Sequence, residues 1–245
     1  MKTQNFFLDR PEVRDYQLQG NRISLDLYPD VFPPSAFVVP FAQNIKIKPG
    51  DRVADIGTGS GILAIMAAQL GAEVWATDTS EASVANAKEN AKKNQVDIQA
   101  FAGSFFCPLQ GKFDVIIANL PQEILPEDYK FNLGEDLSQT ISGGKLGNEI
   151  LIEFLKIAPR FMHAKSKLYI NVGSLSDFKS TFQLIGQNYD ARMINTYALP
   201  NKAFVAEHID FYKRLNTEGK IHIFKEEGIW KTMVYPFELK LKPAS

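Results

Sequence analysis

Residues 51–78 read DRVADIGTGSGILAIMAAQLGAEVWATD, and the reading of this stretch decides the fold. Val53, Ala54 and Ile56 form a short apolar run, as in a buried parallel strand. Asp55-Ile56-Gly57-Thr58-Gly59-Ser60-Gly61 then breaks the strand with glycine at alternate positions. Glycine permits positive φ and has no Cβ, so a ligand approaches the backbone closely. Ser60 is placed to cap the following helix, whose apolar face is Ile62, Ile65, Met66 and Leu70. Gly71 closes that helix, and Glu73-Val74-Trp75-Ala76-Thr77 reads as the next strand. Asp78 ends it, where a carboxylate suits the hydroxyls of a ribose. The stretch reads as a nucleoside-cofactor site.

The glycine spacing narrows the cofactor. A dinucleotide fingerprint runs G-x-G-x-x-G and aims a helix N-terminus at a pyrophosphate. Here the order is G-x-G-x-G, with Asp55 just before it. A carboxylate at that point repels a diphosphate and attracts a sulfonium or ammonium group. The competing readings are an ordinary glycine turn closing a βα unit and an NAD site. The stretch resembles motif I and the acidic loop of the class I S-adenosylmethionine-dependent methyltransferases. That resemblance implies S-adenosylmethionine as cofactor. Asp55, Gly57, Thr58, Gly59 and Gly61 are expected to hold its methionine part, and Asp78, with Thr79 beside it, its ribose.

The 245 residues suit one α/β domain with appendages, and 45% apolar with 22% charged residues is ordinary for a globular enzyme. A net charge of −1 announces neither nucleic acid nor membrane as a partner. The amino-terminal MKTQNFFLDRPEV carries Asp9 and Glu12 without a long apolar core, so it is not read as a signal peptide. No apolar run is long enough to span a membrane. Cys107 is the single cysteine, which excludes an internal disulfide and agrees with a reducing, cytoplasmic setting. His163, His208 and His222 are scattered without metal-ligand spacing, so no metal site is expected.

Residues 1–48 precede the cofactor strand. Arg14–Leu18 and Arg22–Leu27 alternate around Gly20-Asn21, which predicts a hairpin. The prolines of Leu27-Tyr28-Pro29-Asp30-Val31-Phe32-Pro33-Pro34-Ser35 fix an extended path, and Ser35 is placed to start a helix through Val38, Val39 and Phe41. The same stretch is similar to one that precedes motif I in HemK-like glutamine methyltransferases, where it borders the pocket. Past Asp78, Ser80 caps a long helix carrying Ala82, Val84, Ala85, Ala87 and Ala91, and Asp97–Phe101 reads as the third strand.

Gly103-Ser104-Phe105-Phe106-Cys107-Pro108-Leu109 resembles the family loop in which an acid meets the adenine amino group. Ser104 stands in place of that acid, so adenine recognition falls to Ser104, to backbone amides and to stacking by Phe105. The strand Val115–Ala118 ends at Asn119-Leu120-Pro121-Gln122, at the carboxyl edge where α/β ligands bind. This resembles the N-P-P-Y motif of methyltransferases acting on planar amide or exocyclic nitrogens. Asn119 and Pro121 are kept, whereas Leu120 replaces a proline and Gln122 the stacking aromatic. The resemblance implies that Asn119 and the Leu120 carbonyl orient an N–H nucleophile, with Pro121 shaping the turn. The alternative is a plain Asn-Pro turn after a strand.

Residues 122–139 are acidic and weakly periodic, and are expected to form a surface loop or lid. Gly143-Gly144-Lys145-Leu146-Gly147 precedes a helix over residues 149–161 and is similar to the family's glycine turn; its glycines serve backbone geometry. Strand 167–172, helix 175–188 and strand 191–197 complete the βα series. Residues 206–215 read as a helix, and 221–224 with 229–235 as strands about a turn at Glu226-Glu227-Gly228.

The expected fold is a doubly wound, mostly parallel, seven-stranded Rossmann-like α/β sheet with amino- and carboxyl-terminal extensions. Residues 1–48 form the hairpin and lead-in, 49–200 the Rossmann-like domain, and 201–245 an extension packed on the same domain. The expected activity is N-methylation of a glutamine side-chain amide in a loop of a protein substrate. The alternatives are an RNA base-amine or small-molecule methyltransferase, or a non-catalytic S-adenosylmethionine-binding module. No membrane partner is expected.

Overall fold

The computed structural model describes residues 8, 10–133, 138 and 140–243. Asp9, and residues 134–137 and 139 of the acidic segment 122–139, lie outside the described residues. The chain divides into two compact units. One takes residues up to 119 together with 159–170, and the other takes 120–158 and the chain from 171 onward.

The first unit begins with a hairpin, β1 (Glu12–Leu18) and β2 (Asn21–Leu27), paired antiparallel from Glu12↔Leu27 to Leu18↔Asn21. Gln19 and Gly20 make its turn at φ 48° and 84°, the twist that a two-residue hairpin requires. Alternate residues Ile23, Leu25 and Leu27 are fully buried. A short helix, α1 (Val38–Ala42), follows. Its start lies at Val38, and Ser35 contributes only its carbonyl, to the Val38 N–H.

The core of this unit is a parallel sheet of β3 (Arg52–Ile56), β4 (Glu73–Asp78), β5 (Gln99–Ala102), β6 (Phe113–Ala118) and residues 162–170 of β7 (Met162–Gly173). Its order is β7-β6-β3-β4-β5, so the chain reverses direction of travel across the sheet after β5. Helix α2 (Ile62–Gln69) buries every residue from Ile62 to Ala67, so its apolar surface is wider than one face. Gly61 occupies its N-cap at φ 87° and no side chain caps it, so the expected cap by Ser60 is not formed. Helix α3 (Glu81–Lys93) has the ends its sequence announces. The Ser80 side chain accepts from the Ser83 N–H, Glu81 lies in the first turn, and Lys92 and Lys93 lie in the last.

The second unit contains α4 (Glu127–Leu133), α5 (Glu149–Ile157), α6 (Phe178–Asn188), α7 (Ala203–Glu207) and α8 (Ile209–Thr217). Residues 127–133 were expected within a loop, but their local helical bonding, including Lys130 N–H to the Pro126 carbonyl, makes a helix. The expected single strand over 191–197 is two, β8 (Tyr189–Met193) and β9 (Tyr197–Pro200). Both pair with the long β11 (Ile229–Leu241), which also pairs with β10 (Ile223–Glu226). All three pairings are antiparallel. The hairpin turn at Glu227-Gly228, with φ 50° and 80°, repeats the geometry at Gln19-Gly20. Phe178, Phe182, Tyr235 and Phe237 stack in one aromatic cluster, which places Tyr235 among packing residues.

Candidate functional site

Strand register assembles the first unit's site. Ile56 pairs with Thr77 on one side and with Ala118 on the other, and Asp78 pairs with Ala102. The residues that follow each strand therefore meet at one carboxyl edge: Gly57, Asp78 with Thr79, Gly103 to Phe105, and Asn119. Four segments distant in sequence converge there because parallel strands in register end at one level.

The glycine loop is pinned from several directions. Gly57, Gly59 and Gly61 all adopt positive φ, at 73°, 54° and 87°. The N–H groups of Gly57 and Thr58 both donate to the Thr77 carbonyl, at 2.9 and 3.0 Å. The Gly59 N–H donates to Asp78 Oδ2 at 2.9 Å, and the Ser80 N–H to Asp78 Oδ1 at 2.9 Å. A Cβ on Gly61 would lie 3.0 Å from the Ala87 Cα, so α2 approaches α3 through that position. A Cβ on Gly59 would meet only the Phe32 carbonyl, at 3.9 Å, which brings the proline-rich stretch alongside the loop.

The two acids differ. Asp55 is 1% exposed, and its Oδ2 accepts from the Thr58 hydroxyl at 2.7 Å. Burial pushes its carboxyl up to about 7, opposed by the Thr58 bond and an Ala64 N–H and aided by the Asp78 charge. Asp55 thus braces the turn from beneath. Asp78 is raised by burial, against the N–H groups of Ser80, Gly59 and Thr79, which favour its charged form. Asp78 Oδ2 accepts from Gly59 and Oδ1 from Ser80, and a carboxylate offers about four acceptor sites, which leaves room for a hydroxyl. An open glycine cradle beside such an acid fits an adenosine ribose and a short charged tail.

The loop after β5 is tied to the same edge. Gly103 N–H donates to the Asp78 carbonyl at 2.9 Å, and the Thr77 hydroxyl donates to the Phe105 carbonyl. Ser104 is exposed and Phe105 half-buried, with φ 50° at Phe105. Phe106 instead stacks on Phe161, with centroids 4.1 Å apart.

In the second unit, the loop from Leu120 to Gln122 is held by the Gln122 side chain, which stands where the resemblance has an aromatic. Gln122 Nε2 donates to the Asn171 carbonyl at 3.0 Å and lies 3.4 Å from the Leu120 carbonyl, while its Oε1 accepts from the Gly173 N–H at 2.6 Å. The glycine turn presses on the same loop, since a Cβ on Gly143 would lie 2.7 Å from the Gln122 Cα. Glu123 N–H donates to the Ile141 carbonyl, and Gly143 N–H to the Glu123 carbonyl. Glu123 also pairs with Lys202. Gln122→Ala removes two internal hydrogen bonds and is expected to lower unfolding free energy by about 2 kcal/mol in urea titration. An unchanged midpoint would show that the loop is held without it.

The family model for ribosomal protein L11 methyltransferases matches residues 40–143. A Methanocaldococcus jannaschii protein proposed as a protein N5-glutamine methyltransferase is 34% identical over 160 residues, covering 65% of this chain and 80% of that protein. A ribosomal protein L11 methyltransferase of Thermotoga neapolitana is 46% identical over 79 residues, but these make up only 30% of its length. The Thermus thermophilus 16S rRNA N2 G1207 methyltransferase, solved with AdoMet and guanosine, has a TM-score of 0.56 at 14% identity, over 93% of this chain and 51% of that one. That last likeness is one of fold.

A Rossmann-like α/β sheet with a glycine loop and a carboxylate at its carboxyl edge is an arrangement suited to a nucleoside cofactor. The chain belongs to the class I S-adenosylmethionine-dependent methyltransferases, and S-adenosylmethionine is its cofactor. Among the described residues, no helix is long and apolar enough to cross a membrane.

Proposed function

We propose that this chain methylates the side-chain amide nitrogen of a glutamine in a protein, in the cytoplasm. The observation that carries the reading is the register Ile56↔Ala118, which sets Asn119 level with the start of the glycine loop. The relative named for N5-glutamine methylation and the relatives named for methylation of a ribosomal protein support a protein acceptor. Bound S-adenosylmethionine supplies an activated methyl carbon, so the chain's own task is alignment and exclusion of water. Asn119 donates to and accepts from the planar amide through its own, the Leu120 carbonyl accepts the acceptor's N–H, and Pro121 fixes the turn. Gly57, Thr58, Gly59 and Gly61 cradle the methionine part, Asp78 and Thr79 hold the ribose, and Ser104 and Phe105 border the adenine. Gln122 supplies loop rigidity where other members of the resemblance carry an aromatic.

Asp55 acts through its charge and through the Thr58 brace. Its folded carboxyl titrates near 7 against an unfolded value near 4, so the folded state binds the extra proton between these values. Stability without cofactor therefore falls as pH rises through that window, by up to about 1.4 kcal/mol per pH unit. A bound cation favours the ionised form, so S-adenosylmethionine affinity is expected to strengthen from pH 6 to pH 8. Isothermal titration of Asp55→Asn should give a flatter profile; an identical slope would remove Asp55 from cofactor recognition.

The acceptor is tested by transfer of radiolabelled methyl into a lysate divided between protease and ribonuclease. Protease-sensitive label supports the protein reading and leads to mass-spectrometric mapping of the glutamine. Ribonuclease-sensitive label moves the assignment to an RNA base amine. Label confined to small molecules overturns both.

A further inference from the structure

The helix α3 and its C-cap carry asparagine at residues 86, 90 and 94, one turn apart along a single face. All three face the outer edge of β2. Asn94 accepts from the Ser24 N–H at 2.9 Å and donates to the Ser24 carbonyl at 2.8 Å. Asn90 accepts from the Asp26 N–H at 2.8 Å and donates to the Asp26 carbonyl at 3.1 Å. Asn86 donates to that same carbonyl at 2.9 Å. From the neighbouring helix, Gln69 donates to the Arg22 carbonyl at 3.1 Å. A row of side-chain amides thus takes the place of a third strand, and β2 has its backbone edge satisfied without one. Flanking this row, Lys93 pairs with Asp26 at 2.5 Å and the Tyr28 hydroxyl donates to Glu89 at 3.1 Å.

The middle asparagine does more than cover an edge. Asn90 is fully buried, and its Nδ2 also donates to the Ser60 carbonyl at 3.0 Å, within the glycine loop. The other pins on that loop come from β3, β4 and the residues just after them. Asn90 reaches it from α3, with its remaining bonds committed to the hairpin.

We propose that Asn90 is a positioning residue that couples docking of the β1–β2 hairpin to the shape of the cofactor loop, so that the hairpin is part of the cofactor-binding machinery. Three glycines at positive φ leave the loop many alternative conformations. Each pin raises the fraction already in the binding shape, and apparent affinity scales with that fraction. The inference rests on reading Gly57–Gly61 as the cofactor loop.

The test compares S-adenosylhomocysteine binding by isothermal titration for wild type, Asn90→Ala and Asn94→Ala, with melting curves for each. Both variants lose two bonds to the β2 edge, so both should melt lower. Only Asn90→Ala also frees Ser60, and its Kd is expected to rise about five- to tenfold while that of Asn94→Ala stays near wild type. Equal shifts in Kd, or no shift in Asn90→Ala, overturn the proposal. Asn90→Ser, whose short hydroxyl fills part of the space without reaching Ser60, gives the same readout should the alanine variant fail to fold. Asp78→Ala is measured beside them. Unchanged binding there would defeat the reading of the loop itself, whereas lost binding there with normal Asn90 variants would defeat this inference alone.

Discussion

Asn119→Ala is expected to lower methyl transfer about a hundred- to a thousandfold while leaving S-adenosylhomocysteine affinity nearly unchanged. The reason is geometric. An amide nitrogen is a weak nucleophile, and its lone pair must be aimed along the line of transfer. A planar side-chain amide at the end of β6 can both donate to and accept from another planar amide, which sets the orientation as well as the distance. Ala118 pairs with Ile56 and with Ile170, so the strand end that presents Asn119 is held on both sides. Alanine keeps that backbone and removes only the orienting group. Single-turnover transfer and calorimetry read the two halves separately. Turnover within a few-fold of wild type would remove Asn119 from the mechanism, and loss of cofactor binding together with turnover would make it a cofactor residue instead.

Asp78→Ala is expected to weaken S-adenosylhomocysteine binding by about 2–3 kcal/mol, or roughly 30- to 150-fold. Two losses add. The carboxylate's hydrogen bonds to ribose hydroxyls disappear, and so does the Asp78 Oδ2 bond that holds the Gly59 N–H. Because Asp78 also accepts from the Ser80 N–H ahead of α3, a modest drop in melting temperature accompanies the loss. Calorimetry well below the melting transition separates the two effects. An affinity within twofold of wild type would sink the ribose assignment.

Much of the site was legible in sequence because its signals are local. The strand before Gly57, the glycine spacing, Asp78 at a strand end and the Ser80 cap each depend on a few neighbouring residues. The structure has all of them where the sequence places them. The readings that failed depended on distant partners. Ser60 looked like a helix cap, but Gly61 takes the N-cap and the Ser60 carbonyl goes to Asn90, thirty residues on. Gln122 does replace the aromatic of the resemblance, and what its amide does instead, bonding the end of β7, was not legible locally. The asparagines of α3 carried no assignment in the sequence, although Asn86 and Asn90 are 1% and 0% exposed. A polar residue repeating every fourth position beside the buried alanines was the available signal, and only an unpaired strand edge explains it.

By itself the sequence determined the alternating βα order, the three-glycine turn and the carboxylate that ends the next strand, since backbone conformation and burial period are written in residues a few places apart. The tertiary structure decided which loops share the carboxyl edge, how Asp55 is buried so that it braces instead of facing solvent, and which side chains hold the glycine loop still. Those features depend on strand register and on hydrogen bonds between segments tens of residues apart, and neither leaves a local trace in the chain.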